Sequence, residues 1–176
     1  AQLLHHGGRG GPELVGRGRY YGVPAIAITA DGTVHAVWAH TPPAGAQGNY
    51  YSSKAPGGTW TPAGPAPGTI HDRRIYATAA GVQLVAQDAG IVHYTRRDGR
   101  WEIVQSWKLA DGYFLAFRLT PEGDLHLAWS GGSYGGNTIV YQVSAVPRSA
   151  STAGIAQAVT IPADARYPTL SFFTGR

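Results

Sequence analysis

Apolar residues alternate with polar or small residues in short runs along this chain, and glycine-containing turns separate the runs. The clearest example is the apolar run at residues 24–29, the dipeptide Asp31-Gly32, and a second run at residues 34–38. A period of two residues is typical of β-strands, and Asp-Gly between two such runs indicates a hairpin turn with positive φ. No segment has the 3.6-residue period of an amphipathic helix. The pattern therefore predicts an all-β chain with almost no helix.

The same strand–turn–strand pattern recurs along the chain. Residues 115–129 align without a gap with residues 24–38, and both copies end in tryptophan, at Trp38 and Trp129. A degenerate copy lies between them, and a Tyr-rich third strand and a short Trp-bearing turn follow the first copy. A period of about 48 residues is typical of a β-propeller blade of four antiparallel strands. The predicted blades cover residues 20–65, 73–110 and 113–162, and the first strand of a fourth begins at residue 166.

Residues 1–18 are a Gly-rich N-terminal arm, and residues 19–176 are predicted to form one propeller-like domain. Within the arm, residues 2–5 can pair as an edge strand, and the remainder is expected to be a loop. In the first blade, the fourth strand is expected to begin near Thr59-Trp60.

Three blades and one strand do not close a ring, because propellers typically have about 4–8 blades. An open stack of blades would expose apolar faces, which other protein chains, the remaining blades of a longer protein or a homo-oligomer would have to cover. A β-sandwich, in which the repeat is fortuitous, is the alternative fold.

Composition excludes several classes of function. The charged fraction is 14% and the net charge is +4, with no run of Lys or Arg, so a nucleic-acid partner is not expected. The chain has no Cys, which excludes disulfides and thiolate metal sites, and no apolar run reaches the roughly 20 residues of a membrane span. No metal and no cofactor are predicted.

The N-terminal sequence and the amino-acid composition suggest where the protein comes from. An Ala-Gln start is what signal-peptide cleavage often leaves, and the preference for Arg over Lys indicates a GC-rich bacterial genome. We therefore expect an extracellular or periplasmic protein, with an internal fragment of a longer protein as the alternative.

One hairpin resembles a known family motif. In the segment from Ser53 to Trp60, the residues Ser53, Gly57, Thr59 and Trp60 match the Ser-x-Asp-x-Gly-x-Thr-Trp "Asp-box" of sialidase-like propellers (BNR repeats), and Ala55 replaces the aspartate. Residues 95–101 look like a shortened second copy. The resemblance implies a propeller fold. Because the motif is shared by hydrolases and binding modules, it says less about activity.

Sialidase chemistry, as the resemblance implies it, uses three arginines around a carboxylate, a tyrosine nucleophile paired with glutamate, and an aspartate acid/base. Arg73 or Arg74, and Arg166, stand at blade entrances where such arginines would be. Five of the ten acidic residues fall in or beside tight turns and two lie in irregular segments. None of the other three has a tyrosine partner at a telling distance in the sequence. No catalytic residue is therefore predicted.

A ligand face is expected on the loops that join strands two and three and on the loops between blades. The residues of these loops offer arginine for a carboxylate or sulfate and aromatic rings for a sugar. The alternative is that the arginines make structural contacts with neighbouring blades. The candidate binding residues are His71, Asp72, Arg73, Arg74, Tyr113, Tyr134, Asn137 and Arg166.

Two further residue types recur by blade. His35 and His126 occupy equivalent positions, with Gln83 between them, and this repetition predicts a satisfied hydrogen bond between blades and not a ligand. The repeated tryptophans are expected to pack between sheets, whereas Trp107 and Tyr113 fall outside that register and are candidates for stacking on carbohydrate.

These observations favour a non-catalytic binding or assembly module, a sialidase-like propeller segment of a secreted or periplasmic protein or of a larger complex. Its ligand would be a carbohydrate or a small anion. The alternative is an enzyme: a fragment of a sialidase-like glycoside hydrolase (an exo-glycosidase) whose catalytic residues lie largely outside this chain. A third hypothesis is an accessory subunit tethered by residues 1–18.

Overall fold

The computed structural model describes residues 2–5, 11–17, 19–41, 44–69, 73–87, 90–107, 113–120, 124–131, 138–144 and 155–162. These residues form strands, turns and short connections, with no helix among them, which confirms the all-β prediction. The strands are β1 (Gln2–His5), β2 (Glu13–Arg17), β3 (Arg19–Ile28), β4 (Val34–Thr41), β5 (Gly48–Lys54), β6 (Gly64–Ala66), β7 (Arg73–Thr78), β8 (Gly81–Gln87), β9 (Ile91–Arg97), β10 (Arg100–Trp107), β11 (Tyr113–Leu119), β12 (Leu125–Gly131), β13 (Thr138–Ser144) and β14 (Ile155–Pro162).

Twelve of these strands form three four-stranded antiparallel sheets, each with its strands in chain order. The first sheet is β3-β4-β5-β6, the second is β7-β8-β9-β10, and the third is β11-β12-β13-β14. β1 and β2 pair separately as an N-terminal hairpin. The prediction of four-stranded antiparallel sheets is confirmed.

The chain divides into two compact units, residues 1–107 and residues 108–176. The first unit holds the N-terminal hairpin and the first two sheets, and the second unit holds the third sheet.

The core of the first unit lies between the first and second sheets. Val37 and Tyr51 of the first sheet pack with Ile75, Leu84 and Tyr94 of the second. Removal of this apolar surface from water is the main stabilising term. The alternating sequence pattern does not by itself show which strands are central, yet residues 35–40 of β4 and 82–86 of β8 are buried without a break. Both faces of these two strands are therefore covered.

A clamp built on Asn49 joins the two sheets. Its side-chain amide Nδ2 donates to the carbonyl oxygens of Pro67, Gly68 and Thr69 at 3.0, 2.9 and 2.6 Å. The Thr69 hydroxyl then donates to the carbonyl oxygen of Gln87 at 2.6 Å, so the connecting segment is tied to both sheets.

The two Asp-Gly turns differ from each other. In the β9–β10 hairpin, Asp98 and Gly99 both have positive φ, 49° and 77°, as a two-residue Asp-Gly hairpin turn requires. In the β3–β4 connection only Gly32 has positive φ. Asp31 instead accepts hydrogen bonds from Thr29 Oγ1 at 2.6 Å and from Thr33 N at 3.1 Å, so these side-chain bonds set the turn.

Two local predictions were wrong. Residues 13–17 were assigned to a loop but form β2, because residues 2–5 need a partner strand and find it within the arm. The fourth strand of the first sheet begins at Gly64 and not near Thr59-Trp60. After the Gly57 turn, Thr61 N donates to Ser53 O, and Pro62 has no N–H to continue a ladder.

Three leucines are buried in the described part of the second unit. Leu119, Leu125 and Leu127 are buried, and Thr120 N donates to Asp124 O across the β11–β12 turn at 2.9 Å. In the β12–β13 ladder, His126 stands opposite Val143.

Candidate ligand-binding groove

A groove of about 450 Å³ lies in the first unit, between the outer part of the first sheet and the β9–β10 hairpin of the second. One wall comes from β5, β6 and the segment before β6, and the other from the hairpin. The lining residues are Tyr51, Ser53, Thr61, Pro62, Gly64, Pro65, Arg96, Gly99, Arg100 and Trp101.

Arg96 lies over two aromatic rings of the groove. Its guanidinium carbon lies 4.3 Å from the centroid of the Tyr51 ring and 5.3 Å from that of Trp101. The two rings themselves meet edge to face, with centroids 5.4 Å apart. Stacking on a ring uses the face of a guanidinium and leaves its N–H groups, which lie in its plane, able to donate. Arg96 lines the groove, where its N–H groups can serve as donors.

The neighbouring Arg97 is in a different environment. Its side chain is 70% exposed, and its Nη1 lies 3.6 Å from Glu102 Oε2. Arg96 has no such carboxylate partner among the described residues, and none of the residues that line the groove is acidic. The groove thus carries the positive charges of Arg96 and Arg100.

A chain of hydrogen bonds leads from Tyr51 to a surface carboxylate. The Tyr51 hydroxyl is 2.7 Å from His35 Nδ1, and His35 Nε2 is 3.2 Å from Thr29 Oγ1. Thr29 Oγ1 donates to Asp31 Oδ1 at 2.6 Å. An ionised carboxylate only accepts, so the Thr29 proton points to Asp31 and its oxygen accepts from His35 Nε2–H. His35 Nδ1 is then the acceptor, and Tyr51 donates to it.

The pKa values of two groups in this chain agree with that assignment. Hydrogen bonds from Thr29, and then from Thr33, lower the pKa of Asp31, which is therefore ionised near neutral pH. Burial lowers the pKa of His35, with Asp31 acting in the opposite direction and Arg96 lowering it further. His35 is therefore neutral near pH 7.

The second sheet has a corresponding pair. Gln83 takes the place of His35, its Oε1 lies 2.9 Å from His93 Nε2, and its Nε2 donates to Thr95 Oγ1 at 3.0 Å. The prediction that these repeated polar residues are hydrogen-bonded is confirmed for His35 and Gln83. The expectation of a bond between sheets was wrong for both, because each bonds within its own sheet.

The repeated tryptophans can be compared with their predicted packing role where their side chains are described. Trp101 packs across the interface against Tyr51, which confirms the prediction for that residue. Trp38 is 1% exposed. Trp60 meets the ring of His5 edge to face at 5.3 Å, so it packs on the N-terminal hairpin instead. That hairpin is also held by Lys54, whose Nζ lies 2.5 Å from a Glu13 carboxylate oxygen.

Of the predicted binding residues, the structure describes the side chains of Arg73 and Arg74. Arg73 is 1% exposed, and Arg74 is exposed with its Nη1 donating to Arg73 O at 2.8 Å. Adjacent residues of a strand point to opposite faces, so the pair cannot act as one cluster. Tyr113 begins β11, where the backbone alone is described. His71, Asp72, Tyr134, Asn137 and Arg166 lie outside the described residues, as does the side chain of Trp107.

The groove residues Tyr51, Arg96 and Arg100 were not among the predicted binding residues. A signal was present, because a turn at Asp98-Gly99 pairs Arg96 with Trp101 across the hairpin. What that pair faces depends on Tyr51, about 45 residues earlier, and no local pattern contains that information.

Within the described residues, no group of three or more His, Cys, Asp or Glu side chains is placed to hold a metal ion. That part of the chain also has no helix long and apolar enough to cross a membrane.

Comparison with known proteins gives no family. No protein-family model and no curated protein matches the chain. A crystal structure of a protein of unknown function from Dyadobacter fermentans is similar, with a TM-score of 0.48 and 16% sequence identity over 76% of this chain and 50% of that protein. The chain thus spans half the length of that protein. The resemblance to sialidase-like propellers stays a prediction.

Proposed function

We propose that this protein is a non-catalytic binding module that takes a small anionic ligand, such as an acidic sugar, in the groove between its first two sheets. The observation that carries the proposal is Arg96, a guanidinium stacked on Tyr51 and Trp101 with no carboxylate partner among the described residues. A carboxylate or sulfate is the acceptor that a fixed guanidinium fits best, and the aromatic rings beside it suit an apolar ligand face.

The acidic residues support binding over catalysis. Asp31 accepts hydrogen bonds within its own turn, Glu13 pairs with Lys54, and Glu102 pairs with Arg97. Sialidase-type hydrolysis uses a glutamate beside the tyrosine nucleophile and an aspartate acid/base, and the lining of this groove contains no carboxyl group.

The propeller architecture belongs to the same proposal. Three consecutive four-stranded antiparallel sheets, each with its strands in chain order, suit propeller blades. The burial of both faces of β4 and β8 is what a sheet stacked between two neighbours requires. We accordingly propose a secreted or periplasmic module that assembles with further blades or other chains.

The test uses benzenesulfonate as a probe, because it joins an aromatic ring to an anion whose charge is constant between pH 5 and 8. Its binding is followed by tryptophan fluorescence, which Trp101 reports, and by calorimetry. Loss of Arg96 in Arg96→Ala should weaken binding at least about tenfold, as expected for charge-assisted hydrogen bonds. Arg97→Ala is the matched control, since it removes the adjacent arginine outside the groove and should leave the dissociation constant unchanged. Equal affinity in the two variants would refute the proposal.

A further inference from the structure

The hydrogen-bond chain behind the groove gives Tyr51 two states that differ in what it offers a ligand. While His35 is neutral, Tyr51 donates its proton to His35 Nδ1, so its hydroxyl can act towards a second partner only as an acceptor. An oxygen lone pair repels an anion. In this state the anion site consists of the arginines alone.

Protonation of His35 reverses the bond. The imidazolium carries N–H on both nitrogens, so Nδ1 must donate to the Tyr51 oxygen while Nε2 continues to donate to Thr29. The Tyr51 proton is then released from His35 and can be donated to an acceptor in the groove that Tyr51 lines. The same side chain becomes a donor for an anion.

We infer that Tyr51 is a specificity-determining residue of the proposed groove, and that protonation of His35 turns it into a hydrogen-bond donor for an anionic oxygen of the ligand. This inference rests on the proposed function, since it needs an anion at Arg96. It adds that the site binds anions more tightly in mildly acidic solution.

The charged groups around His35 give the coupling its sign. Asp31, reached through Thr29 in the β3–β4 turn, favours the imidazolium, whereas Arg96 of β9 opposes it. A bound anion offsets the positive charge of Arg96, which opposes protonation of His35. The anion therefore favours protonation of His35 in a second way, in addition to accepting the hydrogen bond from Tyr51. By linkage, the factor by which acid tightens binding equals the factor by which the anion raises the proton affinity of His35.

The experiment measures the dissociation constant of benzenesulfonate for the full chain between pH 7.5 and 5.0, with circular dichroism at each pH to verify folding. For the unmodified protein we expect about tenfold tighter binding at pH 5.0, the size of one hydrogen bond to a charged group. His35→Gln should bind as the unmodified protein does at pH 7.5 and show no change with pH. Glutamine is the natural residue at the equivalent position of the second sheet, Gln83, so this variant is expected to fold. Tyr51→Phe, which has no hydroxyl to donate, should lose most of the tenfold gain in affinity between pH 7.5 and pH 5.0.

A second readout is the pKa of His35 measured by NMR. Saturating benzenesulfonate should raise it by about one unit, which is the same tenfold factor.

The outcomes separate the two proposals. Binding that depends on Arg96 but does not change with pH, or that changes equally in His35→Gln, would overturn the role of Tyr51 and His35 and leave the proposed function standing. Absence of binding at every pH, or equal binding by Arg96→Ala, would overturn the proposed function and this inference with it.

Discussion

At the scale of single residues, buried polar side chains of the second strand pair diagonally with the third strand. Tyr51 stands opposite Val37, two positions from His35, and His93 stands opposite Val85, two positions from Gln83. Both pairs are hydrogen-bonded and buried. A buried polar group without a partner costs more than its hydrogen bond contributes, so each position needs a matching residue type on the next strand.

His93 is the residue whose titration should limit stability in acid. Burial lowers its pKa from 6.5 to about 4, so the folded state binds a proton less readily than the unfolded chain. The free energy of unfolding therefore does not depend on the titration of His93 above pH 6.5, and it decreases as the pH falls from 6.5 towards 4. Over that range we expect the free energy of unfolding to decrease by about 3 kcal/mol from this group, measured by urea denaturation.

The matched variant for this prediction is His93→Gln, which supplies an amide N–H in place of the imidazole as the partner of Gln83 and removes the titrating group. Its stability should be much less dependent on pH between 6.5 and 4. An unchanged pH dependence would show that His93 is not the responsible group.

At the scale of elements, the connection between the first and second sheets is held by Asn49 and fitted by Gly68. Gly68 has a φ of +87°, and a Cβ at this position would lie 2.5 Å from Cβ of Ala86 in β8. Real Cβ atoms do not approach so closely, so any larger residue would push the connection away from the second sheet. The glycine allows the segment to lie against β8 while Asn49 binds its three carbonyl groups.

Substitution of Gly68 by alanine tests this account. Gly68→Ala should destabilise the fold by about 3 kcal/mol, through backbone strain and overpacking against Ala86. Gly57→Ala is the control, because Gly57 has a φ of +71° but no atom within 4 Å of its missing Cβ. It should cost about 1 kcal/mol from backbone strain alone. Equal losses in chemical denaturation would mean that the contact with Ala86 is unimportant.

At the scale of the whole molecule, the proposed assembly predicts a particle larger than one chain. Isolated blades of a propeller need neighbours, and several large apolar side chains are exposed, including Ile26, Ile28 and Ile103 at 56%, 58% and 67%. Light scattering of the purified chain should therefore give a mass above 18.6 kDa, rising with concentration. A monomer at all concentrations would contradict assembly of this chain with itself.

Much of the architecture was predictable from local sequence. The repeat placed the three sheets, and Asp98-Gly99 predicted a turn that the structure confirms, because alternation and turn chemistry act over a few neighbouring residues. Prediction failed at residues 13–17, whose strand exists through pairing with residues 2–5. It failed again at the fourth strand of the first sheet, where Pro62 and the Thr61–Ser53 hydrogen bond delay the ladder.

The candidate site shows most clearly which features the local sequence determines and which depend on tertiary packing. The sequence by itself determined the all-β class, most of the strands and the polar repeat of His35, Gln83 and His126, since these follow from periodicity within one segment. Only the tertiary structure decided that Arg96 lies on Tyr51, that Tyr51 donates to His35, and that both stand beside a groove. The physical reason is that these contacts join strands distant in the chain through the packing of two sheets. Burial and charge at such a contact depend on both partners at once.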